Sequence, residues 1–134
     1  MPELLTPLFQ LSTTKGFALA CSALELAVAE HEFGILAVHD LGQTLRSKGI
    51  DFEEQCRVFE VCHPEQAARV LKANMALAMA LPCRISVFTD AGCTWIGMIR
   101  PEVMLRSLSG DPELAVVARD VEVSLVEIIE AAVA

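Results

Sequence analysis

Apolar positions along this chain recur with two different periods, and each change of period marks an element. Alternation over residues 57–61, 84–90 and 94–99 has the period of half-buried strands. Phe17, Cys21, Leu24, Val28 and His31 instead recur at helical spacing. Ser12-Thr13-Thr14 offers caps for that helix, which is predicted to run to Glu32 and to end at Gly34. A weaker strand signal precedes it over residues 8–11, and Ile35-Leu36-Ala37-Val38 reads as a buried strand. Asp40 is placed to cap a short helix over residues 42–47 that Lys48-Gly49 stops.

His63-Pro64-Glu65-Gln66 opens the next helix, with His63 near the cap and Pro64 in the first turn. Ala67, Val70, Leu71 and Met75 give it an apolar face, and it is predicted to continue to about Ala80 until Pro82 breaks it. Asp90-Ala91-Gly92-Cys93 is a hairpin turn between the last two alternating segments. Residues 101–110 read as irregular or as a short helical turn. Asp111 as cap, Pro112 at the first position and Glu113 in the first turn start a final helix. Leu114, Val117, Val121, Leu125 and Ile128 draw one stripe along it, and Val116, Val123, Val126 and Ile129 widen that stripe beyond a single-sided helix. A second packing partner is the simplest reason, which predicts a homodimer.

The element order is therefore β-α-β-(short α)-β-α-β-β-α. It predicts an α+β fold, one layer of mostly antiparallel sheet covered by helices, in a single domain over residues 1–134. Hydrophobic residues make up 54% of the chain, but no apolar run approaches the ~20 residues of a membrane span. Met1-Pro2-Glu3 lacks the basic start of a signal peptide, so a soluble cytoplasmic protein is expected. A formal charge of -8, with ten scattered Lys and Arg, argues against nucleic acid and against anionic membranes as partners. Five cysteines without a CxxC do not suggest a disulfide framework, and reduced thiols are the default.

Two cysteine–proline segments carry the candidate chemistry: Val61-Cys62-His63-Pro64-Glu65 and Leu81-Pro82-Cys83-Arg84. Cys62 precedes a helix start, where free N–H groups and the helix dipole favour a thiolate, and a protonated His63 would add to this. Arg84 would act likewise on Cys83 if the two side chains lie close. The plainer reading is that both thiols are small buried hydrophobes. Cys62, His63 and Cys83 with Met75 or Met79 would suit a soft metal, although no zinc spacing is present. Cys56 and Cys62 share a strand face but stand roughly 20 Å apart, too far for one site. Cys21 on its helix stripe and Cys93 in a turn read as structural. Asp51, Glu53 and Glu54 read as a solvated loop, and His31, His39 and His63 fall in different elements. Trp95 with Phe88 would line a small apolar pocket between sheet and helix, or pack in the core. No GxSxG elbow, GxGxxG or P-loop is present, so nothing in the sequence points positively to an enzyme or names a cofactor.

Gly34-Ile35-Leu36 ahead of Asp40-Leu41, Leu45-Arg46-Ser47-Lys48-Gly49-Ile50 and Phe59-Glu60-Val61-Cys62-His63-Pro64 resemble the domain of unknown function 302 (DUF302) family. So do Ala67/Ala68 with Val70-Leu71, Leu81-Pro82-Cys83-Arg84-Ile85-Ser86-Val87, and Ile99-Arg100-Pro101. The resemblance spans about Phe17 to Ala132, and His63 departs from the asparagine usual in the family. It implies a compact α+β protein similar to bacterial and archaeal dimers of no agreed activity, with Cys62, Pro64, Pro82 and Cys83 at shared positions. Three functions remain open. The first is a small cytoplasmic homodimeric binding or accessory protein holding a small ligand or soft metal near Cys62, His63, Cys83 and Arg84. The second is a thiol-based redox enzyme or sensor using Cys62. The third is an interaction module with no small-molecule site.

Overall fold

A computed structural model describes residues 6–134; Met1-Pro2-Glu3, on which the signal-peptide expectation rests, lie outside the described residues. The elements are β1 (Leu8–Thr13), α1 (Phe17–Glu30), β2 (Gly34–Asp40), α2 (Leu41–Ser47), β3 (Cys56–Cys62) and α3 (Pro64–Ala73). A 3-10 segment (Met75–Ala80) follows, then β4 (Cys83–Asp90), β5 (Cys93–Ile99), α4 (Pro101–Leu108) and α5 (Pro112–Val133). The strands form one open sheet in the order β1-β5-β4-β3-β2, every neighbouring pair antiparallel. This is the α+β layer that the residue pattern predicts.

Alternation puts Phe59 and Val61 of β3, Ile85 and Val87 of β4, and Ile96 and Met98 of β5 on one face, where all are buried. Ala20, Leu24 and Val28 of α1 and Leu125, Ile128 and Ile129 of α5 close over that face. Each large side chain so buried contributes about 1.5–3 kcal/mol. Phe88 and Trp95 pair across β4 and β5 on the other face, so they line no pocket between sheet and helix.

One pairing that periodicity leaves open, β1 with β5, requires a glycine at position 97. A Cβ there would lie 2.7 Å from Gln10 Cβ and 2.9 Å from the Phe9 carbonyl, so only glycine lets β1 approach β5 this closely. The predicted hairpin turn forms with Ala91 and Gly92 both left-handed, at φ 50° and 83°, which is the type I′ pattern. Glu54 ties that turn to β3: one carboxylate oxygen accepts from the Thr89 hydroxyl at 2.6 Å, the other from the Ala91 N–H at 3.0 Å. These bonds hold its carboxyl below the usual range, so Glu54 is not part of a free solvated loop, whereas Asp51 and Glu53 are exposed.

Local expectations fail where a distant partner intervenes. Thr13 belongs to β1 and donates its hydroxyl to the Val133 carbonyl at 3.0 Å, so α1 begins after Gly16 with no side-chain cap. Past its end Glu32, at φ 65°, takes the left-handed position expected near Gly34. The helix from Pro64 ends at Ala73, because the Asn74 side chain accepts from the Ala76 N–H at 3.0 Å and starts the 3-10 segment instead. Residues 101–108 form a full helix, α4, rather than an irregular stretch. Its cap comes from α5: Glu122, 7% exposed, accepts from the Glu102 N–H at 3.0 Å and pairs with Arg100 at 2.9 Å. The wide stripe of α5 is largely used inside the chain, since Ile129 is fully buried and Val126 packs on the core. Only Val116 and Val123, 57% and 52% exposed, remain outside.

Candidate functional site

Near one end of β3 the layers do not fill the space between them. A cavity of about 280 Å³ opens there, between β3 and α3 on one side and the segment leading into β4 on the other. Val61, Cys62, His63, Gln66 and Val70 form the first wall, and Leu81, Pro82 and Cys83 the second. Phe33 and Leu36 lie at its β2 side, and Leu105 of α4 with Val121 of α5 close the far side. Among the described residues no Asp, Glu, Lys or Arg lines it. The register explains the convergence: β3 and β4 pair Val61 with Cys83, so the two cysteine–proline segments meet at the same end of the sheet. The Leu81–Pro82 peptide is cis.

His63 is the cap of α3, and its Nδ1 accepts the Gln66 N–H at 3.3 Å. That bond commits Nδ1 to the start of α3 rather than to Cys62. Its ring meets Phe33 edge-on, 5.3 Å between centroids. Burial pushes the Cys83 thiol up to about 11, the neighbouring Cys62 adds to the rise, and Arg84 opposes it. Desolvation thus outweighs the arginine, and Cys83 is a neutral thiol at neutral pH. Arg84 itself leaves the site. It lies one position along β4, on the opposite face from Cys83, 3.8 Å from Glu60, which also meets His39 at 3.4 Å.

Of the four candidate residues, three converge on the cavity and Arg84 does not. Met75 and Met79, 70% and 88% exposed, do not line it. Among the described residues no group of three or more His, Cys, Asp or Glu could hold a metal ion. The other cysteines are elsewhere: Cys21 and Cys56 have thiols raised by burial, and Cys93 is exposed.

Sequence reading passes over Gln66. It occupies the third helical position after His63, where a capping box would turn its amide back to the cap N–H. Instead Gln66 lines the cavity, and its side-chain oxygen is buried without a hydrogen-bond partner. A glutamine at that position behind an unusual cap was the available signal. A second hollow, of about 440 Å³, lies between α3 and α5, where Arg69, Lys72 and Glu113 make it polar and of mixed charge.

The chain matches the model of the family described as Domain of unknown function DUF302 over residues 9–132. It is similar to a solved structure, the uncharacterized conserved protein DUF302 from Bacillus stearothermophilus. The two share 31% identity at a TM-score of 0.90, over 95% of this chain and 98% of that one. Comparison with curated proteins gives no match. The matched region contains both cysteine–proline segments and all the walls of the cavity, and the chain belongs to the DUF302 family.

Proposed function

We propose that this protein binds a small, neutral, largely apolar molecule in the cavity bounded by Cys62, His63 and Cys83. The observation that supports this is the cavity itself: about 280 Å³, with apolar walls and no charged side chain among the described residues that line it. An engineered apolar void of about 150 Å³ already holds benzene, so roughly ten non-hydrogen atoms fit here. An apolar occupant is favoured over a soft metal, because the thiols and one imidazole are not joined by further ligands. Thiol redox chemistry at Cys62 ranks second, supported by its place before α3 and beside Cys83. The test is titration with propylbenzene, followed by backbone amide shifts. Changes should centre on Val61, Cys62, Val70 and Cys83 and vanish in Leu105→Trp, which fills the space. Shifts elsewhere, or unchanged binding in that variant, would overturn the reading.

The proposal includes a homodimer in a reducing compartment such as the cytoplasm. Five free cysteines support the compartment, and no helix among the described residues is long and apolar enough to cross a membrane. Exposed apolar residues one heptad apart, Leu19 and Leu26 on α1 and Val116 and Val123 on α5, support the dimer. Leu26→Asp with Val123→Asp should give folded monomers in sedimentation velocity. A dimer that survives the pair would remove this interface. Ile129→Asp is a core change instead and should unfold the chain, at a cost on the order of 4 kcal/mol or more.

A further inference from the structure

The segment that leads into one wall of the cavity holds a conformation its residues do not favour. Met75-Ala76-Leu77-Ala78-Met79-Ala80 consists only of alanine, leucine and methionine, all strong α-helix formers, yet the six residues are 3-10. Such runs seldom exceed three or four residues, and where they interrupt helical sequence they often mark a hinge. What holds this one is local. Asn74 is extended, its side chain accepts from the Ala76 N–H at 3.0 Å, and its carbonyl accepts from the Leu77 N–H at 3.0 Å. The Leu81 N–H donates to the Ala78 carbonyl at 3.2 Å, and among the described residues no hydrogen bond ties residues 75–80 to the sheet or to α4. Leu77 alone in the segment is buried, whereas Met75 and Met79 are 70% and 88% exposed. Ala78, Leu81 and Pro82 nevertheless line the cavity. A wall with local hydrogen bonds and one buried side chain is the part of the site that opens most readily.

Resting on the pocket reading above, we infer that this segment is the gate of the cavity: α3 lengthens by one turn through Leu77, Ala78 leaves the wall, and the apolar occupant passes. Leu77 follows Val70 by seven residues, so on the longer helix both keep to one stripe. Chain reach sets the limit, because Cys83 is paired with Val61 near the start of α3. A helix from Pro64 through Leu77 is about 20 Å long, and the six steps from Leu77 to Cys83 reach about 20 Å. Growth to Ala80 would leave three steps, about 10 Å, against a helix of about 24 Å, so one turn is the growth the tether allows. Asn74 is the latch. It caps the 3-10 form and is a poorer helix former than its neighbours.

The experiment follows propylbenzene exchange on the full chain by NMR line shape, together with the Cα shifts of residues 75–77 in the ligand-free chain. Met75→Pro suits the present form, since position 75 is the first of the segment and the preceding Asn74 is extended. On a longer α3 the same proline would lose the bond to the Leu71 carbonyl and clash with it. It should slow association and dissociation together, on the order of a hundredfold, with affinity nearly unchanged. Asn74→Ala removes the latch, and should speed both rates about fivefold and move the Cα shifts of residues 75–77 towards α-helix. Unchanged rates in both variants, with affinity retained, would overturn the gate and leave the pocket reading intact. Cα shifts that stay in place in ligand-free Asn74→Ala would overturn the gate as well. No binding of propylbenzene by the native chain at millimolar concentration would overturn the pocket reading and the gate with it. Asn74→Ala decides the matter even if Met75→Pro does not fold.

Discussion

The two ends of β3 solve the same packing problem differently. At its start Arg57 crosses the Phe17 ring at 5.2 Å and pairs with Asp40 at 3.2 Å, above the fully buried Cys21. Asp40 also accepts from the Gln43 N–H at 2.9 Å, so charge and caps are matched and little is left to bind. At its end Cys62, His63 and Gln66 meet Cys83 across a space that no side chain fills, and one buried oxygen has no partner. Both ends contain cysteines, and both have thiols raised by burial. The presence of a thiol therefore does not separate a structural end from a binding one. Unfilled volume does.

The sharpest way to break this contrast is to add volume at each place. Ala20→Leu, on fully buried α1 packing beside Cys21, should lose about 1–3 kcal/mol in urea unfolding. Ala67→Leu, facing the cavity, should lose nothing or gain up to about 1 kcal/mol while abolishing propylbenzene binding. Equal losses at both positions would mean that the cavity is not available space.

The alkaline limb comes next. Cys83 ionises at about 11 in the folded chain against 9.0 for an ordinary thiol, so its folded form holds the proton more tightly. Its stabilising contribution is complete below pH 9.0 and is lost as pH rises towards about 11, because there the unfolded chain releases a proton that the folded chain keeps. The loss should be about 2 kcal/mol, and Cys83→Ala should flatten the limb over that interval. An unchanged limb in this variant would show that Cys83 is not buried against the cavity.

The smallest effect is expected at the filled end. Arg57→Met keeps the apolar stem over Phe17 but removes the charge, and should cost about 1 kcal/mol near neutral pH. The Gln43 N–H first, and Arg57 after it, hold the Asp40 carboxyl below the usual carboxylate range. Stability from Asp40 is therefore present above its ordinary value of 3.8 and is lost as pH falls below it. Arg57→Met should make this acid loss shallower without removing it, as thermal unfolding between pH 2 and 6 would show.

Much of this was legible from residue order because it is local. Pro64 and Pro112 mark helix starts, Asp90-Ala91-Gly92-Cys93 marks a type I′ turn, and alternation identifies β3, β4 and β5. The meeting of Cys62 with Cys83 could be suspected but not shown, since it depends on the β3–β4 register. Whether Arg84 reaches Cys83 was left conditional, and the strand decides it, because adjacent strand residues face opposite ways and Arg84 lies beside Glu60 instead. Helix α4 was underestimated because Glu122, the group that caps it, is twenty residues away. Ile129 was assigned to a partner because a wide stripe does not say whether a second copy or the same chain covers it.

What the residues by themselves determined was the set of elements, their periods, the α+β class and the kinship with DUF302, because backbone preference and amphipathic period act over a few neighbouring positions. Tertiary structure alone decided the strand order, the close β1–β5 approach that the bare Cα of Gly97 admits, the burial that holds Cys83 neutral, and the void beside Gln66. A void is space that several distant elements together fail to fill, and no local pattern records that.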